Sequence, residues 1–348
     1  MPTLYNRIKA FEKLGILFSN NISKNSSNDF THWPIELNKA IDMAYKYNSW
    51  FTEHSVKQAL LEWSKQLNYD NLKNWTDQYQ ITDKSDKKIA IIMAGNLPLV
   101  GFHDLLCGLI LNFDCIVKLS SDDKILIPFI IEFLDSELPG IKNKVEFTTT
   151  PIKDFNGVIA TGSNSSFKYF EYYFGGYPNL LRKTRHSIAV LDGNESETDL
   201  KNLGNDIFTY FGMGCRSISK LLIPKGYDFD LLFNALFTFK EIINHNKYVN
   251  NYDYNKAVYL MSEQKFIENG FVILKEDKKL GSPIGCLFFE YYENSKGLNT
   301  YISDIKDSLQ CVVSNLNICN STNFGSSQKP KIDDYADNIN TLDFLLKI

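Results

Sequence analysis

Cys215 lies in Phe211-Gly212-Met213-Gly214-Cys215-Arg216-Ser217, where a stretch of helical pattern runs into two glycines. A thiol so placed can serve as a nucleophile. Glycine lets the backbone turn sharply beside it, and a substrate can then reach both the sulfur and the Cys215 amide N–H, which can help to hold an oxyanion. Taken alone, a cysteine is more often inert packing. A second candidate is Asn96 in Ala94-Gly95-Asn96-Leu97-Pro98-Leu99, an amide side chain at the end of an apolar run. A third is Thr161-Gly162-Ser163-Asn164-Ser165-Ser166, a glycine and hydroxyls that open a helix and suit a pyrophosphate at its N-terminus. Each of these two also fits an ordinary turn.

The flanking elements explain why such residues could meet. Ile89 to Ala94 is short, β-branched and ended by Gly-Asn-x-Pro, which favours a buried strand. Leu99 to Leu111 has helical period, Cys115 to Leu119 reads as a second strand, and Ser120 or Ser121 stands where it could cap the next helix. Strands at 145–148 and 157–161 continue the alternation, although residues 151–156 between them are too few for a full helix. Strands separated by helical crossovers imply a parallel, doubly wound α/β sheet whose ligands bind at the strands' carboxyl ends. From Ser187 the pattern restarts, with a strand at 188–191, a helix from Asp199 to Phe211 and a strand at 219–223. Residues 1–80 carry apolar residues at three- and four-residue steps and read as helices, and the Asn/Ser-rich Asn20 to Asn28 reads as a surface loop.

A chain of 348 residues is too long for one small core and is expected to form two lobes that share a cleft. Its formal charge of −4 offers no basic surface for nucleic acid. The six cysteines form no CxxC pair and have no histidine spacing suited to zinc, so no metal is expected, and reduced thiols point to the cytoplasm. The N-terminus lacks the apolar core of a signal peptide. The longest apolar stretches are about half of what a bilayer-spanning helix needs, so no membrane span is expected.

In this order and spacing the motifs resemble the aldehyde dehydrogenase superfamily. Gly95-Asn96-x-Pro98 is similar to its oxyanion strand end and Lys118-Leu119-Ser120 to its ribose-binding Lys-Pro-Ser. Thr161-Gly162-Ser163 is similar to its cofactor-binding Gly-Ser, and Gly214-Cys215 to its nucleophile. Within the superfamily the chain most resembles the acyl-CoA reductases related to the LuxC subunit of the bacterial bioluminescence fatty-acid reductase. That likeness rests on Asn48-x-Trp50-Phe51-Thr52, on Phe324-Gly325-Ser326-Ser327-Gln328-Lys329-Pro330, and on Asp334-Tyr335-Ala336-Asp337 followed by Thr341 to Leu345.

The resemblance implies two α/β lobes with a Rossmann-like sheet and a helical N-terminal region. Residues 1–80 would pack on a cofactor lobe (81–186), a catalytic lobe (187–320) would carry the cysteine, and 321–348 would return to the cleft. It further implies NADPH-dependent reduction of a long-chain acyl thioester to the aldehyde. Cys215 and Asn96 would be catalytic, and Lys118, Ser120, Ser121, Gly162 and Ser163 would bind the cofactor. Coenzyme A would be the leaving group, the acyl donor acyl-CoA or an acylated partner protein, and the enzyme a homo-oligomer.

Two departures from ordinary aldehyde dehydrogenases matter. Arg182 stands nearest the glutamate that activates a hydrolytic water, and Leu280-Gly281-Ser282-Pro283 lacks the glutamate that holds the nicotinamide ribose. A neutral Ser121 where NAD-preferring relatives carry an acid favours NADPH, with NADH possible. The alternatives are aldehyde or semialdehyde oxidation and a non-catalytic, cofactor-binding relative. Three features get structural readings: Arg182, Lys183, Arg185 and His186 as a solvated face or an interlobe ion pair rather than a contact for coenzyme A phosphates, His103 as a packed or capped imidazole, and Phe167, Phe170 and Phe174 as packing under the sheet.

Overall fold

The computed structural model describes residues 2–23 and 32–348. The chain divides into two units, Met1–Lys183 with Lys331–Ile348, and Thr184–Pro330.

In the first unit four helices precede the sheet: α1 (Leu4–Ser23), α2 (Trp33–Tyr47), α3 (Glu53–Gln66) and α4 (Tyr69–Thr76). Thr52 and Asn68 start α3 and α4 by accepting N–H groups three residues on, those of Ser55 and Asn71. Then come β1 (Lys88–Ile92), α5 (Phe102–Ile110), β2 (Asp114–Lys118), α6 (Leu126–Glu137), β3 (Val145–Phe147), β4 (Gly157–Thr161), α7 (Asn164–Phe174) and β5 (Asn179–Arg182). The five strands are parallel in the order β3-β2-β1-β4-β5. Residues in the middle of β1, β2 and β4 are buried, so these strands read as apolar runs rather than alternating ones. One core joins Phe11 and Leu14 of α1, Leu60 of α3, Ile89 and Ile91 of β1 and Leu105 of α5. The close seat of α5 on β2 requires Gly108, where a Cβ would lie 2.7 Å from the Cys115 sulfur. Buried Arg7 donates from Nε to the Ile110 carbonyl at the end of α5 (3.0 Å), one of the carbonyls a helix leaves without an internal partner.

Several local expectations change. Asn20 to Ser23 form the last turn of α1 rather than a loop, and the remainder of that stretch lies outside the described residues. Neither Ser120 nor Ser121 caps α6, which begins later, at Leu126, after Ile125 and without a side-chain cap. The helix expected from Leu99 starts at Phe102, because Leu99 itself is left-handed (φ 60°). The helix-free connection before β4 is real: β3 and β4 are not neighbours, and a loop carries the chain between positions on either side of β2 and β1.

The second unit contains β6 (His186–Val190), α8 (Glu197–Phe208), β7 (Ile218–Pro224), α9 (Phe229–Leu236), α10 (Asn246–Met261), β8 (Ile267–Glu268), β9 (Ile273–Glu276), β10 (Cys286–Tyr292), α11 (Ser295–Ile305), β11 (Leu309–Val313) and β12 (Ser321–Thr322). Its sheet runs β12-β11-β6-β7-β10-β9-β8, parallel except where β8 meets β9. A reciprocal cap between Ser196 and Asp199 starts α8. That helix stops at Phe208, short of the expected Phe211. The last helix, α12 (Thr341–Leu346), belongs to the first unit and adds Leu342 and Leu345 to its core.

Candidate active site

Register places Ile92 of β1 opposite both Lys118 of β2 and Ala160 of β4. Asn96, Lys118, Ser120, Ser121, Gly162 and Ser163 therefore follow or end three neighbouring parallel strands at one edge of the first sheet. Asn96, Ser121 and Ser163 are exposed, while Lys118, Ser120 and Gly162 are half-buried. Two of the glycines have steric reasons. A Cβ on Gly95 would lie 2.4 Å from Ser120, so the β1 and β2 loops touch there. On Gly162 it would lie 2.9 Å from Phe170 and Ser166. Ser163 caps α7 by accepting the Ser166 N–H (3.2 Å), and the first turn of α7 carries no acidic residue.

The turn bearing Asn96 is tied from below. Leu99 is buried and left-handed, a conformation costing about 1–3 kcal/mol for such a residue, and its N–H donates to Asp123 Oδ2 at 3.0 Å. Buried Asn48, from the N-terminal motif, donates to the Asp122 carbonyl at 3.4 Å, which holds the same loop from its other side.

Burial pushes the Asp123 carboxyl up to about 6, against the pull of the Leu99 and Leu126 N–H groups. An acid raised in the folded state binds protons that the unfolded chain has already released. Its ionisation therefore costs stability as pH rises from about 4 to 6, and the full cost stands above 6. Asp123→Asn keeps an acceptor for Leu99 and carries no charge. It is expected to raise unfolding stability at pH 8 by up to about 2–3 kcal/mol, a gain that fades between pH 6 and 4. Urea melts across that range would measure it, and a pH-independent difference would contradict it.

Arg182, at the end of β5, is buried. It donates to Asp104 Oδ2 of α5 (2.6 Å) and to Thr341 Oγ1 of α12 (2.9 Å). It is thus neither on a solvated face nor in an interlobe pair: its ion pair lies within the first unit. His103 is packed as expected: burial lowers its pKa, Nε2 donates to the Ile332 carbonyl (2.8 Å), and its ring stands among Trp63, Trp75 and Tyr335. Phe170 and Phe174 pack against Ala90, Val158 and Ala160 under the sheet. Phe167 instead lines a separate cavity of about 500 Å³ with Leu180, Leu181, Ile339 and Phe344, which none of the candidate site residues reaches.

In the second unit Cys215 is exposed just before β7. The chain leaves α8 through three successive left-handed residues, Tyr210 (φ 54°), Phe211 (φ 59°) and Gly212 (φ 75°). For the two aromatic residues this costs about 1–3 kcal/mol each, a strain that persists only where the surroundings enforce it. Cys215 and Arg216 then form the centre of a turn closed by the Ser217 N–H on the Gly214 carbonyl (3.0 Å). Ser187 of β6 donates to the Cys215 carbonyl (2.8 Å), and Ser217 Oγ accepts the Gly214 N–H (3.1 Å). Leu280-Gly281 passes directly over His186, where a Cβ on Gly281 would lie 2.3 Å from the imidazole. His186 is thus half-covered by backbone. Gly281 is required by this packing.

Sequence reasoning missed Asp123, Asp206, Ser187, Ser217 and Gln328. For Asp206 a signal exists: it sits between Leu203 and Ile207 on the buried stripe of α8, where an acid needs internal partners. Among the described residues no group of three His, Cys, Asp or Glu side chains is placed to hold a metal, and no helix is long and apolar enough to cross a membrane.

No protein-family model matches the sequence, and no curated protein matches it. Solved structures do. Aldehyde dehydrogenase 21 of Physcomitrella patens, in complex with the reaction product succinate, is similar at 12% identity and a TM-score of 0.67, over 99% of this chain and 84% of that one. The indole-3-acetaldehyde dehydrogenase of P. syringae, with NAD+ and IAA, gives 11% and 0.65 over 95% and 75%. The aldehyde dehydrogenase KauB of Pseudomonas aeruginosa gives 12% and 0.62 over 93% and 73%. At such identities the likeness is one of architecture, and the chain has the aldehyde-dehydrogenase-like α/β fold.

Proposed function

We propose that this chain is a fatty acyl-CoA reductase of the LuxC-like kind, which reduces a long-chain acyl thioester to the aldehyde through an acyl group carried on Cys215. The observation that carries the reading is the pairing of an exposed Cys215 on a braced turn with an Arg182 sealed against Asp104. At the position where the resemblance puts the water-activating glutamate there is a cation, already committed. Hydrolysis of an acyl-enzyme wants a general base there, whereas reduction of the thioester does not.

In this mechanism the Cys215 thiolate adds to the thioester carbonyl, and the Asn96 amide and the Cys215 N–H hold the oxyanion. The carbon–sulfur bond to coenzyme A breaks, and the departing thiolate takes up a proton. A dihydronicotinamide, when bound, supplies the hydride. The resulting hemithioacetal on Cys215 collapses to aldehyde and regenerates the thiolate. Lys118, Ser120, Ser121, Gly162 and Ser163 fit such a cofactor: a cation and hydroxyls at one sheet edge, beside a helix start with no acid in its first turn. The neutral Ser121 favours NADPH over NADH. The same reading makes the enzyme a cytoplasmic homo-oligomer, with acyl-CoA as donor and an acylated partner protein as the other source of acyl groups.

Mixing the protein with a long-chain acyl-CoA and no reductant is expected to leave an acyl adduct on Cys215 by mass spectrometry. Unmodified protein would remove the central step. Asn96→Ala is expected to slow adduct formation by about 10²–10³ fold, the usual cost of one oxyanion donor. A rate within threefold of the parent would take Asn96 out of the mechanism.

Oxidation of an aldehyde or semialdehyde is the second reading, favoured by the fold shared with the succinate-bound plant enzyme. NADP+ reduction with free aldehydes, and no consumption of NADPH with acyl-CoA, would select it. A non-catalytic relative would show neither.

A further inference from the structure

Two motifs near the C-terminus set the chain's resemblance apart, and the first of them touches the cysteine turn. Buried Asp206, on the helix that leads into that turn, accepts three hydrogen bonds from the Phe324–Pro330 segment: the Gly325 N–H on Oδ2 (2.6 Å), and the Ser327 N–H (3.0 Å) and hydroxyl (2.7 Å) on Oδ1. Gly325 is left-handed (φ 81°), and a Cβ there would lie 3.0 Å from Asn202 of the same helix, so the segment lies flat on α8. From this latched segment Gln328 Nε2 donates to Ser217 Oγ (3.1 Å), the same oxygen that accepts the Gly214 N–H.

We infer that Gln328 is a positioning residue for Cys215, acting through Ser217 and held in place by Asp206. The geometry gives the reason. Between α8 and the turn the backbone passes through Tyr210, Phe211 and Gly212 in left-handed conformations, which would relax if the turn were anchored at one end only. Asp206 fixes the helix end to the segment, and Gln328 carries that fixation across to Ser217 and so to the peptide preceding the thiol. The Gly214 N–H is spent on Ser217 and so is tied into the same brace rather than offered to a substrate oxygen. The inference rests on the proposed role of Cys215, but its first readout does not need the reaction.

The test is the pH profile of iodoacetamide alkylation at Cys215, mapped by mass spectrometry, in the full chain and in Gln328→Leu, Ser217→Ala and the double variant. Exposed Cys319 serves as the internal standard. Gln328→Leu is expected to change the Cys215 rate about fivefold or more and to move its midpoint, with Cys319 unchanged. In acyl-CoA reduction, kcat should fall about tenfold with KM within twofold, since the loss is one of alignment rather than binding. Ser217→Ala should reproduce the effect, and the double variant should add nothing to it. A Cys215 profile like the parent's in both single variants, or additive effects in the double, overturns the inference. If the parent never reduces acyl-CoA while the alkylation profiles shift, the proposed reaction fails and the brace stands.

Discussion

Replacing Cys215 by alanine is expected to abolish acyl-CoA-dependent NADPH consumption, with a loss on the order of 10⁴-fold or more. Removing a nucleophile collapses every step that depends on the covalent intermediate. The same change should leave the fold alone. Cys215 is exposed, so its truncation opens no core cavity, and the backbone bonds that define its turn come from Ser187, Ser217 and Gly214. Cys215→Ala should therefore melt within about 1 kcal/mol of the parent, as surface substitutions usually do. Steady-state rates with a long-chain acyl-CoA, taken beside a thermal melt, separate the two effects. Residual activity above about one per cent of the parent would mean that another group attacks the thioester.

Arg182→Met carries the second large effect, and it is structural. Asp104 and Arg182 are both buried, and the attraction of Asp104 keeps the guanidinium pKa raised despite burial. Removing one partner leaves a carboxylate in the core without its counter-ion, a change that costs about 3–5 kcal/mol. Asp104→Leu together with Arg182→Met should recover most of it at neutral pH, because removing both charges also removes their desolvation. Urea unfolding of the two single variants and the double one at pH 7 would measure this. A single variant within about 1 kcal/mol of the parent, or a double no better than the single, would show that the pair contributes little. The functional corollary is that Arg182→Glu would not restore a hydrolytic base. It would set two carboxylates side by side in the core and unfold the unit.

The C-terminal stretch shows how one run of sequence divides its work. Phe324 to Pro330 braces the second unit through Asp206 and Ser217. Residues 331–348 complete the first: Tyr335 accepts the Trp75 indole N–H (2.7 Å), and Thr341 meets Arg182. Both motifs are therefore structural ties. Their buried polar groups find the internal partners that burial demands.

Features written in neighbouring residues were legible without coordinates. The apolar runs that became β1, β2 and β4, the helix opened by Gly162 and Ser163, the packed His103 and the glycines beside Cys215 all follow from local pattern or steric need. The places where local reasoning failed have one cause. The start of α6, the end of α8 and the left-handed Leu99 are set by contacts that propensity does not contain. The buried pairs join residues far apart in the chain: Arg182 with Asp104 across 78 positions, Gln328 with Ser217 across 111, Ser327 with Asp206 across 121. The sequence by itself determined which segments would be strands and helices and which side chains had chemistry to offer. Only the tertiary structure decided which charges would be spent on one another and which turns would be braced, because a buried polar group's partner is chosen by topology rather than by spacing.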